Sequence, residues 1–342
     1  MTKFVVDDYL PRNFAKEKTG EFFVAVLNFL SASNHNRTFV SIDCSFIEVW
    51  PIIKSACHYL DIDPETCVLM PCFEIINPES YDLPMVQNTL LFLRYLKKQI
   101  YVDLGLVDPR DIHKAGTSAV KNTQPIVPPG PKFLHMIGRP TWQRTAVTAW
   151  CWYHHRNRVK ISYHLSENCM DQQGLDTFWK ETRPDSKWHD VFSAWCSRDN
   201  ILIDDIGDVQ TPDQLYNTSF HYNDPLPPYT DTCLEIVCET EMENEYSLTE
   251  KTIRPMLRGR PFVALAAPGY LDWLHKQGFE TFNHAWSEEY DKSSGWTRVD
   301  ETCNVIDHIL HNMSWQDIWD TTRSQCEHNK NTLKKLCDES LG

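Results

Sequence analysis

Glycine is scarce, at 12 of 342 residues, and no tract is of low complexity. That excludes a fibrous or linker-like chain and leaves ordered globular structure. Twelve cysteines are present, yet no CxxC pair and no HExxH occurs, which disfavours a structural zinc. Scattered as they are, several read as reduced, small core residues. No apolar run approaches the roughly 18 residues that cross a bilayer. The opening Met1-Thr-Lys-Phe-Val-Val-Asp-Asp8 lacks the basic-then-apolar order of a secretion signal. The expectation is a soluble, cytoplasmic protein without membrane partners. GxGxxG, GxxxxGK[ST] and GxSxG are missing too, which removes the common dinucleotide, P-loop and hydrolase signatures. A formal charge of −14 disfavours a non-specific polyanion binder.

What is present is alternation of short apolar runs with helical periodicity, over a length that suits two ordinary domains. Thr38–Asp43 reads as a strand, Phe46 to Leu60 as a helix, Cys67–Met70 as a strand and Leu83–Lys98 as a long helix. Four prolines and Gly130 between Asn122 and Pro131 make a stiff, extended boundary. Beyond it Lys132–Ile137 begins a second series. Thr141 is placed to cap a helix reaching His155, which sets Arg139 and Arg144 at a strand end and in a first helical turn. Strands are expected at Val159–Tyr163, Ile201–Asp204, Cys233–Cys238, Arg260–Ala267 and Phe279–Phe282, with a polar helical segment from Thr302 onward. The predicted layout is an N-terminal domain 1–124, a linker 125–131, a second domain 132–300 and a helical segment 301–342. Strands separated by helices of this size predict an α/β fold with parallel sheets.

The most informative stretch runs from Ser247 to Tyr270. It holds Glu250, Lys251, Arg254, Arg258 and Arg260 around a predicted helix start, where unpaired N–H groups and the positive helix end favour an anion. Ser247 stands in capping-box spacing to Glu250, while Thr249 is an alternative cap that would leave Glu250 for a ligand. Pro255 interrupts a regular helix. Gly259 fits a left-handed helix end, which accounts for Arg258. Phe262–Ala267 reads as a strand buried on both faces, and Pro268-Gly269 as a turn into a helix closed by Gly278.

Leu248-Thr-Glu-Lys-Thr-Ile-Arg-Pro255, Gly259-Arg-Pro-Phe262, Pro268-Gly-Tyr-Leu271 and Gly278-Phe-Glu-Thr-Phe282 together resemble a family of glycosyltransferase-like proteins of phages and bacteria. Trp286-Ser-Glu-Glu-Tyr-Asp291 is similar to that family's acidic segment, Phe133–Arg139 with Arg144 to its opening strand and helix, and Val237-Cys-Glu-Thr240 to a further strand. Thr249-Glu-Lys251 is more distantly similar to the donor motif of fucosyltransferases. The likeness covers roughly residues 131 to 291.

The resemblance implies two Rossmann-like domains facing a cleft, the GT-B arrangement. It implies sugar transfer from a nucleotide-sugar donor to a glycan or a modified nucleic-acid base, in the host cytoplasm if the source is viral. Glu250 would bind the donor ribose and Lys251 the diphosphate. Arg139, Arg144, Glu239, Thr249 and Arg254 would line the same site. Gln143 stands where the family has a histidine before its second arginine. Asp43, after an N-terminal strand, is the candidate general base, with a helix-cap role beside Ser45 as its alternative; His154, His155 and Glu48 come after it. Asp61-Ile-Asp63 has the letters of a metal-binding pair, but Pro64 follows and the pair reads as a loop. No catalytic metal or other cofactor is expected. The rival reading is a non-catalytic nucleotide-sugar-binding or assembly protein of the same fold.

Overall fold

Short apolar runs rich in β-branched residues become strands here, and the amphipathic stretches between them become the helices that cover those strands. The computed structural model describes residues 3–6, 19–33, 37–40, 46–70, 74–75, 85–86, 129–137, 141–163, 186–198, 203–204, 231–239, 242–246 and 248–339. Its first elements are β1 (Lys3–Val5), α1 (Thr19–Ala32), β2 (Arg37–Val40), α2 (Phe46–Tyr59), β3 (Cys67–Met70), β4 (Glu74–Ile75) and β5 (Met85–Val86). Then come β6 (Lys132–Ile137), α3 (Trp142–His155), β7 (Val159–Tyr163), α4 (Ser186–Cys196), β8 (Ile203–Asp204) and β9 (Thr232–Cys238). The last are β10 (Glu245–Tyr246), α5 (Glu250–Leu257), β11 (Phe262–Leu265), α6 (Tyr270–Lys276), α7 (Gly295–Asn312) and α8 (Trp315–Glu339).

By its internal contacts the chain divides into two units, Met1–Leu96 with Asn244–Leu248, and Lys97–Glu243 with Thr249–Gly342. In the first, four parallel strands lie in the order β1-β2-β3-β5. Each step goes the same way, so right-handed crossovers put α1 and α2 on one face, where they pack together. Phe22, Val26 and Leu30 form the buried stripe of α1, spaced one turn apart. With Phe4, Phe39, Ile53 and Leu69 they make this unit's core. A separate ladder pairs β10 antiparallel with β4. Met85 and Val86 pair with Val68 and Leu69, which corrects the helix expected from Leu83: tertiary pairing against an apolar strand outweighs local periodicity. The remainder of that expected helix, from residue 87, lies outside the described residues.

The second unit carries the sheet β11-β9-β6-β7-β8, parallel except for the β7–β8 pair. The unit's first strand, β6, lies at the centre; β7 and β8 build out one side, β9 and β11 the other. Because the α3 and α5 crossovers leave the centre in opposite directions, the right-handed rule sends them to opposite faces. The packing agrees: α3 contacts α4 and α7, while α5 contacts α8. This is the doubly wound, Rossmann-like order, with its topological switch between β6 and β9. β9 is buried at every position, as a central strand covered on both sides must be.

Gly130 leads into β6, donating to the Thr232 carbonyl at 3.3 Å. A Cβ there would fall 2.4 Å from the Asp231 backbone, so only glycine fits. Residues 125–128 of the proline-rich segment lie outside the described residues. The strand expected at Phe279–Phe282 is an unpaired loop. Asn329 of α8, 1% exposed, takes the place of a neighbouring strand. Its amide accepts from Glu280 N–H at 2.7 Å and donates to the Glu280 carbonyl at 2.8 Å. Among the described residues, no helix is long and apolar enough to cross a membrane.

Candidate functional site

In open α/β sheets ligands bind beyond the carboxyl ends of the strands, at the switch in strand order. Here those ends are Ile137 of β6 and Cys238 of β9, brought side by side by the His135–Ile236 register. Two helices begin at the same edge. Thr141 caps α3, its hydroxyl accepting from Arg144 N–H at 3.5 Å. Thr249 caps α5, accepting from Lys251 N–H at 3.2 Å. Thr249, not Ser247, is therefore the cap. That makes Glu250 the first helical residue and Lys251 the second, in the turn where the helix end is positive.

Glu239 follows β9 and is fully buried. Its carboxylate accepts from Thr249 N–H at 3.3 Å and from Thr252 Oγ1 at 2.6 Å, and it also binds the Thr249 hydroxyl. Tyr270 donates to Thr252 Oγ1 at 3.0 Å. Burial, then the Glu239 charge, drives the Tyr270 phenol far above its ordinary value, so it keeps its proton. Glu239 thus anchors the start of α5 through charge-assisted bonds, and the anchor favours the helix dipole. Sequence reading missed Thr252 and Tyr270, although a threonine three residues after the cap was there to be noticed.

Arg144, 4% exposed, donates from its guanidinium to the Glu239 carbonyl and so ties α3 to the end of β9. Beneath it His135 is wholly buried, its Nδ1 donating to the Ile236 carbonyl at 3.0 Å. Its Nε2 meets Thr148 Oγ1 at 2.9 Å. Burial lowers His135 to about 4, with the Arg144 charge adding to the fall. A neutral ring follows, with the proton on Nδ1, because a carbonyl can only accept. Burial pushes the Cys238 thiol up to about 12, while Arg144 and Lys251 pull it down. Both cations therefore act on the carboxyl end of β9.

Arg254 is used differently from the expectation. It pairs with Glu235 of β9 at 2.6 Å through its terminal nitrogen and 3.2 Å through Nε. Glu235 is 1% exposed. The arginine is also not at a helix start: α5 has only eight residues, and Arg254 lies in its last turn, where a cation suits the dipole. The helix ends in a Schellman motif, Gly259 N–H to Met256 and Arg260 N–H to Pro255, with Gly259 at φ +60°.

Asp43 and Arg139, and the side chain of Glu250, lie outside the described residues. The Asp61–Asp63 pair is a loop with local duties. Asp61 takes the left-handed position after α2 at φ +56°, and Asp63 accepts from Glu65 N–H at 3.0 Å. No cluster of three or more His, Cys, Asp or Glu able to hold a metal occurs among the described residues. The acidic segment near position 290 turns inward. Asp291 binds Leu271 N–H at 3.0 Å and Arg298 at 2.7 Å. Comparison with protein-family models, curated proteins and solved structures finds no match.

Proposed function

We propose that the protein is a nucleotide-sugar-dependent glycosyltransferase of the GT-B kind, its second unit holding the donor and its first the acceptor. One observation carries the reading: α3 and α5 start at the switch point, with Arg144 and Lys251 both acting on the end of β9. Sugar transfer releases a nucleoside diphosphate, and preorganised positive charge is what lowers that barrier. In this reading Lys251 and the α5 N-terminus meet the diphosphate, Glu250 meets the ribose and Arg139 a phosphate oxygen. Arg144, Glu239 and Thr249 position that edge from beneath, and Asp43 takes the acceptor proton. The acceptor is a glycan hydroxyl or a modified base.

Lys251→Ala is expected to weaken nucleoside diphosphate binding at least tenfold, about 1.4 kcal/mol, and to lower turnover with an unchanged melting temperature. Calorimetry against UDP, GDP, ADP and CDP reads this; unaltered affinity for whichever diphosphate binds would refute the role of Lys251. A second reading, nucleotide-sugar binding without transfer, draws support from the internal commitments of Glu239 and Arg254. Slow release of free nucleotide from any donor in a hydrolysis screen separates the two, since a binder without chemistry releases none.

A further inference from the structure

Two cysteines of the first unit meet in its core, independently of the site above. Cys57 lies in the last turn of α2 and Cys67 opens β3; both are 0% exposed, with sulfurs 3.7 Å apart. We propose that Cys57 and Cys67 form a reversible disulfide, a modification site for small thiol oxidants such as peroxides.

The surroundings assign the two sulfurs different roles. The bond from Cys67 and the charge of Arg37 lower Cys57 against the opposing effect of burial. The same bond, with burial, raises Cys67 strongly. Cys57 is thus the more readily ionised of the two sulfurs and is assigned the attack, with Cys67 keeping its proton. Attack on hydrogen peroxide converts Cys57 to a sulfenic acid and releases hydroxide. The Cys67 sulfur then attacks the Cys57 sulfur; the S–S bond forms, and the hydroxyl leaves as water with the Cys67 proton. Two thiols lose two electrons, and peroxide gains them.

The local geometry permits the closure. The sulfurs must approach from 3.7 Å to about 2.0 Å. Residues 58–66, which join the two cysteines, are exposed or half-buried throughout, so the connection itself is not locked into the core. That connection holds its shape through Ile62 N–H to the Cys57 carbonyl, 2.9 Å, and Arg37 to Thr66 Oγ1, 2.7 Å. A cross-link there fixes a short loop in the unfolded chain and stabilises the fold.

The test exposes the whole chain to graded hydrogen peroxide, unfolds it in an alkylating reagent and maps the peptides by mass. The expected product is a Cys57–Cys67 cross-linked peptide, lighter by two hydrogens and lost on treatment with dithiothreitol. The oxidised chain should also melt at a higher temperature than the reduced one. Cys67→Ser should leave Cys57 as a sulfenic acid that a dimedone probe labels. Recovery of both residues as alkylated free thiols, at peroxide levels that oxidise the half-buried Cys196, would overturn the proposal. So would their joining to other cysteines. The wild-type map decides the question even if the variant does not fold.

Discussion

Arg254 and Glu235 show how one pairing changes what a residue is for. A buried carboxylate deprived of its cation costs about 3–5 kcal/mol. Arg254→Ala should therefore lower stability by that order, read by urea unfolding, and Glu235→Gln in the same chain should recover part of it. The signal was half visible in the sequence. Counting back from Gly259 puts Arg254 in a last turn, but its partner sits 19 positions away on a neighbouring strand, beyond the reach of spacing arguments. Thr141 was legible as a cap because capping is local chemistry, whereas Thr249 had Ser247 as a rival until the structure decided between them. Glu288 supplies a pH-sensitive group. Burial raises its carboxyl from 4.5 to about 7, although it accepts from Phe282 N–H at 2.8 Å. A folded value above the unfolded one means stability fully present below 4.5 and lost as pH rises through about 7. Melting temperature should accordingly fall between about pH 5 and pH 8, and Glu288→Gln should flatten that fall while keeping an acceptor for Phe282.

At the scale of elements, β11 is an edge strand, and an unguarded edge invites pairing with another chain. Its outward Ala264 N–H is covered by the Tyr290 hydroxyl at 3.2 Å, in a residue 2% exposed. Tyr290→Phe leaves that amide buried without an acceptor and should cost about 1–3 kcal/mol. Denaturant titration measures the loss, and amide exchange at Ala264 should quicken in parallel. The acidic segment around Tyr290 and Asp291 thus serves β11 and the start of α6. The ends of β3, β6 and β7 were readable because each is a short apolar run between polar or turn residues. Phe279–Phe282 was misread because its pattern is that of a strand, while its hydrogen-bond partner is a side chain, Asn329, with no trace in the local sequence. Met85–Val86 failed the other way: the leucines that follow suggest a helix, and only pairing with β3 reveals a strand.

For the molecule as a whole, the doubly wound order of the second unit follows from the alternation of strands and helices, which the sequence displayed. The return of β10 to the first unit did not, since Glu245–Tyr246 is two residues in a polar stretch with no periodicity to read. Its pairing with Glu74 and Ile75 closes a contact far longer than any other ladder in that unit. A chain ending at Leu96 therefore lacks the partner of β4, and should unfold at lower denaturant than one in which residues 244–248 are appended through a flexible linker. During synthesis the consequence is one of timing. Residues 74–75 leave the ribosome long before 245–246, and at roughly 5–20 residues per second this ladder must wait on the order of ten to thirty seconds for its second strand. The amino-terminal portion is thus born with a gap that only later translation can fill, an interval in which a chaperone has something to hold.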